Sequence, residues 1–329
     1  MCTALTIKTK DGYNFFGRNM DLEYNFNQKV IVIPRNFQYN HWITGEVVSN
    51  KYACIGMGSN IDNYPAMADG MNEKGLACAG LNFEGYAYYE EKVVEGKNNI
   101  PPYDFILWVL FNHETIEEVK EDIKNIELVN VPISENYPVP TLHWIIYDKS
   151  GNSIVVEKTK EKFAVYDNKV GVLTNNPTFD WHLTNLNEYI NLSAEHTPNT
   201  KWSDLELKAL GVGVGSRGIP GDFESVSRFV RIAFIRSCKP LEEDEKSGLS
   251  QFFNMLGYVA MVKGGAITAA GKEDMTLYTS CMNLQRGIYY YKTYNNSRIN
   301  AVDMNKEDLD SSELKILKYI DTQDINYIN

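Results

Sequence analysis

Residues 1–21 read MCTALTIKTKDGYNFFGRNMD. The run TALTIKT (3–9) alternates apolar and polar residues, Asp11-Gly12 is a turn dipeptide, and YNFFGRN (13–19) resumes a strand-like pattern. This spacing predicts a β-hairpin that begins almost at residue 2. A cysteine so near the start of such a hairpin raises the question of its use. A small second residue favours removal of the initiator methionine, after which the chain would begin at Cys2. One residue would then carry both a thiol, unperturbed near ~8.5, and an α-amine, near ~7.7–8.0. The first is a nucleophile and the second a general base, so no histidine is required. The plainer reading is a small buried hydrophobe, the usual state of a free cysteine.

Two charged residues follow in GRNMD (17–21). If the hairpin forms, Arg18 returns to the neighbourhood of Cys2, where a guanidinium favours the thiolate. Asp21 could then accept a hydrogen bond from the Cys2 amine and orient it. A surface ion pair of little worth is the alternative. Asn82 ends an apolar strand and Asn175 lies in LTNNP (173–177), so both could serve an oxyanion hole or be ordinary turn residues. Arg228, Arg231 and Arg236 recur along one helix, which a solvated face would explain.

Beyond the hairpin, KVIVIP (29–34), KYACIGMG (51–58), AMADGM (66–71) and LACAGLNF (76–83) read as strands. PPYDFILWVLFN (101–112) starts a helix at Pro101-Pro102, and Thr115 with Glu118 is a capping box for IEEVKEDIKNI (116–126). Strands resume at LHWIIYD (142–148), SIVVEKTK (153–160) and KFAVYDN (162–168), then GVLTNNPTFD (171–180) reads as a polar loop. The glycine-rich stretch 210–222 leads into ESVSRFVRIAFIRSC (224–238), with Val226, Phe229, Val230, Ala233 and Phe234 as an apolar stripe. LEEDEKSG (241–248) reads as a solvated linker and SQFFNMLGYVAMV (250–262) as a helix. LYTSCMNL, GIYYYKTY and INAVDM close the chain as strands. Strands and helix pairs in this order do not make a doubly wound sheet; antiparallel sheets covered by helix pairs, in one domain spanning 1–329, fit better.

Composition bounds the function. The 329 residues carry a net charge of −11, which argues against a binder that works by neutralising phosphates. Five cysteines at irregular spacing include no CxxC, and the five histidines include no HExxH, so neither a disulfide framework nor a metal site is suggested. Gly213, Gly215 and Gly218 match GxGxxG, but no alternating strand precedes them. No signal peptide and no apolar run of membrane-spanning length is apparent, and a cytoplasmic protein is expected.

The blocks MCTALT, FGRNMD, VIVIPRNF, YPAMADGMNEKGLACAGLNF, LHWIIYDKSGNSIVVEKTKE, GVLTNNPTFDW, GIPGDFESVSRF, YTSCMNLQRGIYYY and INAVDMNKE together resemble the choloylglycine hydrolase family. That family holds conjugated bile salt hydrolases and penicillin V acylases, and belongs to the N-terminal nucleophile hydrolases. The resemblance implies an α+β fold, an αββα sandwich of two antiparallel sheets flanked by helices, with a mature chain of residues 2–329. It implies Cys2 as nucleophile and amine base, Arg18 and Asp21 around it, Asn82 in the oxyanion hole, and Asn175 and Arg228 completing the site. It places the acyl pocket near Met20, Phe26, Ile61, Pro65, Ala66, Ile133 and Tyr137, with no cofactor or metal, and implies a homotetramer. The expected reaction is hydrolysis of glycine- and taurine-conjugated bile salts through a thioester. An acylase acting on penicillin V or N-acyl-homoserine lactones is the rival, and a silent ligand-binding or assembly protein of the same fold is the non-enzymatic one.

Overall fold

The computed structural model describes residues 1–238 and 242–329. Among them, two large antiparallel sheets dominate. Strands β1 (Cys2–Lys8) and β2 (Asn14–Leu22) form the expected hairpin, turned at Gly12 with φ of 97°. They lie inside a seven-stranded sheet, between Val172–Leu173 on one side and Glu273–Asn283, Ile288–Thr293 and Asn300–Asp303 on the other. The eight-stranded sheet runs from Phe163–Asp167 through Ser153–Lys158, Leu142–Asp148, Leu76–Asn82, Tyr64–Asn72, Cys54–Ile61 and Lys29–Ile33 to Lys315–Leu317.

Helices cover both outer faces. Helices α1 (Phe105–Asn112) and α2 (Ile116–Asp122) pack on the eight-stranded sheet; α4 (Ser225–Ser237) and α5 (Glu245–Gly257) pack on the seven-stranded one, and the short α3 (Phe179–Asn185) precedes α4. This is the four-layer sandwich. Its layering explains why β1 is buried on both faces from Cys2 to Ile7 rather than alternating as its sequence does: one face meets the other sheet and one meets helices. Ala77, Ala79 and Leu81 face the inter-sheet core while Leu76 and Cys78 face α1 and α2. Each large apolar side chain fully buried there is worth about 1.5–3 kcal/mol.

Local departures have local causes. Thr115 does accept from the Glu118 N–H at 3.3 Å, but the Glu118 carboxylate takes the N–H of Glu114, so only half of the capping box forms. Of the linker expected at 241–248, Leu241 lies outside the described residues and Glu245–Gly248 are the first turn of α5, capped by Asp244 and Ser247. The loop expected at 171–180 contains the start of α3. Phe229, Val230 and Ala233 of the α4 stripe are buried, yet so are Arg228 and Arg231, while Val226 and Phe234 are half-exposed. The face turned inward therefore carries arginines, because each finds carbonyl oxygens: Arg228 that of Cys2 in the sheet beneath, Arg231 those of Pro220 and Asp222 in the turn that leads into α4. Among the described residues, no helix is long and apolar enough to cross a membrane.

Just before α1, Asp104 is a buried carboxyl with a displaced pKa. Asp104 accepts from the hydroxyls of Tyr39 and Tyr64, each at 2.8 Å. Burial pushes it up to about 6, although the two hydroxyls pull the other way. An unfolded aspartate titrates near ~3.9, so the folded protein takes up this proton first. The stabilisation is complete below about pH 4 and lost as pH rises through about 6. In urea melts, the stability of the parent relative to Asp104→Asn is expected to grow by about 2 kcal/mol from pH 7 to pH 4. Parallel pH profiles for the two proteins would refute it.

Candidate active site

The site forms at the open end of β1. In the hairpin register Cys2 faces Met20 and Ala4 faces Arg18, so Cys2 and Arg18 point to the same side of the sheet, into the inter-sheet layer. Arg18 is fully buried. Its Nη2 donates to Cys2 Sγ and, at 3.4 Å, to Met20 Sδ. Its Nη1 reaches across the sandwich to the carbonyl oxygens of Gly80 at 2.5 Å and Ala68 at 3.3 Å. Burial acts to lower the Arg18 pKa, but Cys2 first, then Tyr278, Asp69 and Asp21, outweigh it and hold the guanidinium above its ordinary value. A Cβ on the preceding Gly17 would lie 2.1 Å from Ser280 O, so only glycine lets β2 approach its neighbouring strand this closely.

The opposite face of β1 meets α4. Arg228, also fully buried, donates from Nη1 to Cys2 O at 2.5 Å and Thr3 Oγ1 at 2.6 Å, and from Nη2 to Asn175 Oδ1 at 2.7 Å. Burial lowers its pKa, opposed by Asp21 and Cys2. Asp21 Oδ1 accepts from Thr276 Oγ1 at 2.5 Å, and Oδ2 lies 4.0 Å from Arg228 Nη1 with no hydrogen bond among the described residues. Burial raises the Asp21 pKa against the pull of Arg228, the chain's ammonium and Thr276.

Asn175 and Asn82 meet at the third side. Asn175 Oδ1 accepts from Cys2 N at 2.8 Å, and its Nδ2 donates to Asn82 O at 2.8 Å. Asn82 Oδ1 accepts from Thr141 Oγ1 at 2.8 Å. Its Nδ2 makes no hydrogen bond among the described residues, leaving a donor at the half-exposed end of its strand. Of the other five residues named from the sequence, Arg18, Asn175 and Arg228 thus touch Cys2, while Asn82 joins through Asn175 and Asp21 stands beside Arg228.

Met1 occupies the mouth. It extends β1 by one residue: Asp21 N donates to Met1 O at 2.9 Å, and the Met1 ammonium donates to Asp21 O at 2.6 Å and lies 3.3 Å from Asp274 Oδ2. With Met1 attached, Cys2 N is an amide and has no basic lone pair. The amine chemistry exists only once that peptide bond is cut.

The residues expected to line an acyl pocket are placed unevenly. Met20 touches the site directly and is buried. Ile61, Pro65 and Ala66 lie at the tip of one hairpin, and Phe26 beside it offers its carbonyl to Ser59 Oγ at 2.5 Å. Ile133 packs against the core under α1 and α2, and Tyr137 is 49% exposed. Sequence reasoning did not single out Thr3, Thr276 or Asp274. They come from strands that meet only in the folded sheet, and nothing local marks them. Among the described residues, no group of three or more His, Cys, Asp or Glu is arranged to hold a metal ion.

Residues 2–317 match the family model described as linear amide C–N hydrolases, choloylglycine hydrolase family. The chain is 54% identical over 329 residues to the bile salt hydrolase/transferase of Clostridium perfringens, covering 100% of both. It is 44% identical over 315 residues to that of Lactiplantibacillus plantarum, covering 95% of each. The crystal structure of the C2A mutant of the conjugated bile acid hydrolase from Clostridium perfringens superposes with a TM-score of 0.96 at 54% identity, over 100% of both chains.

Because the Asn82 Nδ2 has no hydrogen-bond partner among the described residues, Asn82→Ala should leave the fold intact and lower kcat for amide hydrolysis by about 10²–10³. Steady-state kinetics beside a thermal melt read this, and an unchanged kcat would remove Asn82 from the oxyanion hole.

Proposed function

The chain belongs to the choloylglycine hydrolase family of linear amide C–N hydrolases, and from that membership we propose a reaction carried out at Cys2 on conjugated bile salts. The enzyme hydrolyses the amide that joins the steroid side chain to glycine or taurine, releasing the free bile acid and the amino acid. One observation carries the reading: the sulfur and the nitrogen of Cys2 are engaged separately, the sulfur by Arg18 on the neighbouring strand β2 and the nitrogen by Asn175 in the loop that follows Val172–Leu173.

The roles follow from the contacts. Excision of Met1 turns Cys2 N into an amine. That amine takes the thiol proton, and Arg18 holds the sulfur as it becomes the attacking anion. Attack on the substrate carbonyl places negative charge on its oxygen, which the Asn82 Nδ2 donor can meet. The ammonium then gives its proton to the leaving nitrogen, and a thioester remains on Sγ. The same amine draws a proton from water as water attacks the thioester, returning Cys2 to its starting state. Arg228 and Asn175 fix the Cys2 backbone throughout, so nucleophile and base keep one geometry. Met20, Phe26, Ile61, Pro65 and Ala66, with Ile133 and Tyr137 further out, are read as the apolar wall for the steroid.

Assembly is inferred from surface chemistry. The hairpin of Thr200–Trp202 and Leu205–Leu207 projects Trp202, 72% exposed, and Leu205, with Leu210 and Val212 beyond it. Apolar side chains this exposed call for cover. We read further copies of the chain as that cover, in a homotetramer. The five unpaired cysteines suit a reducing compartment, and we place the enzyme in the cytoplasm.

Three measurements test this reading. The parent, incubated with glycocholate, taurocholate and penicillin V, should release bile acid from both conjugates faster than it cleaves the penicillin. Cys2→Ser should keep the fold and lose on the order of 10³-fold or more in kcat, and protein whose intact mass retains Met1 should be inactive. Trp202→Glu with Leu205→Glu should shift the mass measured by light scattering from tetramer towards monomer; an unchanged mass would place the interface elsewhere.

A further inference from the structure

We propose that His143 and Glu157 are positioning residues for this reaction: together they clamp the Thr174–Phe179 loop so that the Asn175 carboxamide stays on the Cys2 nitrogen and on Arg228. The proposal rests on Asn175 serving the reaction as read above.

Both residues are buried in neighbouring strands of the eight-stranded sheet, His143 in Leu142–Asp148 and Glu157 in Ser153–Lys158. His143 Nδ1 lies 3.0 Å from Glu157 Oε1, and Nε2 lies 3.0 Å from the carbonyl oxygen of Thr174. A carbonyl can only accept, so Nε2 carries a hydrogen and the Nδ1–carboxylate contact shares one further proton. Glu157 takes a second donor, the N–H of Phe179, at 3.0 and 3.2 Å to its two oxygens. The loop therefore hangs from one pair at both ends, at Thr174 and at Phe179. Asn175 lies between them.

The same imidazole also bears on the other asparagine. Its ring lies flat on Phe83, with centroids 4.3 Å apart and planes 8° from parallel, and Phe83 follows Asn82 in the chain. One buried side chain thus touches both segments that carry site amides. Two further contacts refine the loop. His182, stacked on Phe229 of α4, lies 2.9 Å from Asn175 O through Nε2, and burial holds its pKa down to about 4. Asn175 N donates to Ser225 Oγ at 2.8 Å. Burying a charged pair costs desolvation that an apolar pair avoids. What this pair supplies that apolar residues would lack is directional attachment to two named backbone groups.

Three variants separate positioning from bulk stability. His143→Phe keeps the stack on Phe83 and removes both polar contacts. Glu157→Ala removes the hold on Phe179 N–H and on the ring. Glu157→Gln can still accept from Phe179 and donate to Nδ1 of a neutral imidazole. His143→Phe and Glu157→Ala are expected to lower kcat by about 10²-fold with KM within about threefold. Glu157→Gln should restore most of the rate. A folded His143→Phe or Glu157→Ala protein with parental kcat, a rise in KM alone, or equal loss in Glu157→Gln would overturn the proposal. Should His143→Phe fail to fold, Glu157→Ala reads the same clamp from its other partner. Crystal structures of the variants add an arm that needs no substrate. Displacement of Asn175 Oδ1 from Cys2 N supports the clamp, and an unmoved loop overturns it. A parent that cleaves no bile salt conjugate would defeat the functional reading while leaving this arm standing.

Discussion

Everything in the site depends on Cys2 being gripped from two sides of one strand. Arg18 approaches its sulfur from the layer between the sheets, and Arg228 approaches its carbonyl from the helical layer outside. A guanidinium taken out of water is costly unless its donors are met, and both are met chiefly by oxygen atoms of the main chain and of amide and hydroxyl side chains. Gly80 and Ala68 serve Arg18; Cys2, Thr3, Phe223 and Asn175 serve Arg228. The nearest acids, Asp69 and Asp21, stand off without a direct hydrogen bond to either arginine. Arg18 therefore keeps a hydrogen bond available for the sulfur, since none of its donors is taken by a carboxylate among the described residues.

This arrangement requires the sandwich. Residue 18 reaches the sulfur by hairpin register, but its other donors end on the second sheet, and residue 228 arrives on a helix from the far side. A chain end, ordinarily the loosest part of a domain, becomes a fixed strand with partners on both edges. Rigid placement of the reacting atoms is what catalysis asks of a scaffold.

Much of this was legible in the sequence, for physical reasons. The β1–β2 hairpin could be read because its alternation and turn are local, and the hairpin alone returned Arg18 to the neighbourhood of Cys2; the register that sets its side came with the fold. The arginines of α4 could not be read that way: a charged helix face looks solvated until the layer beneath it is known to present carbonyls. His143 and Glu157 left no local mark, since they sit 14 residues apart on adjacent strands and meet the loop only after folding. The matching family blocks supplied Asn82, Asn175 and Arg228, which spacing alone left as turn residues and a wet surface.

Met1 closes the ladder beside Asp21 with two backbone hydrogen bonds, one in each direction. Each such bond contributes about 0.5–1.5 kcal/mol net, so a chain that keeps Met1 holds its first strand more firmly than one that has lost it. The excision that the proposed reaction requires would thus run against the local stability of the sheet. A peptidase that removes Met1, as the proposed reaction requires, would have to reach a residue already zipped into a strand, or act before the strand has closed. Competence and tightness would then be separated in time, with closure of the β1–β2 ladder as the timer.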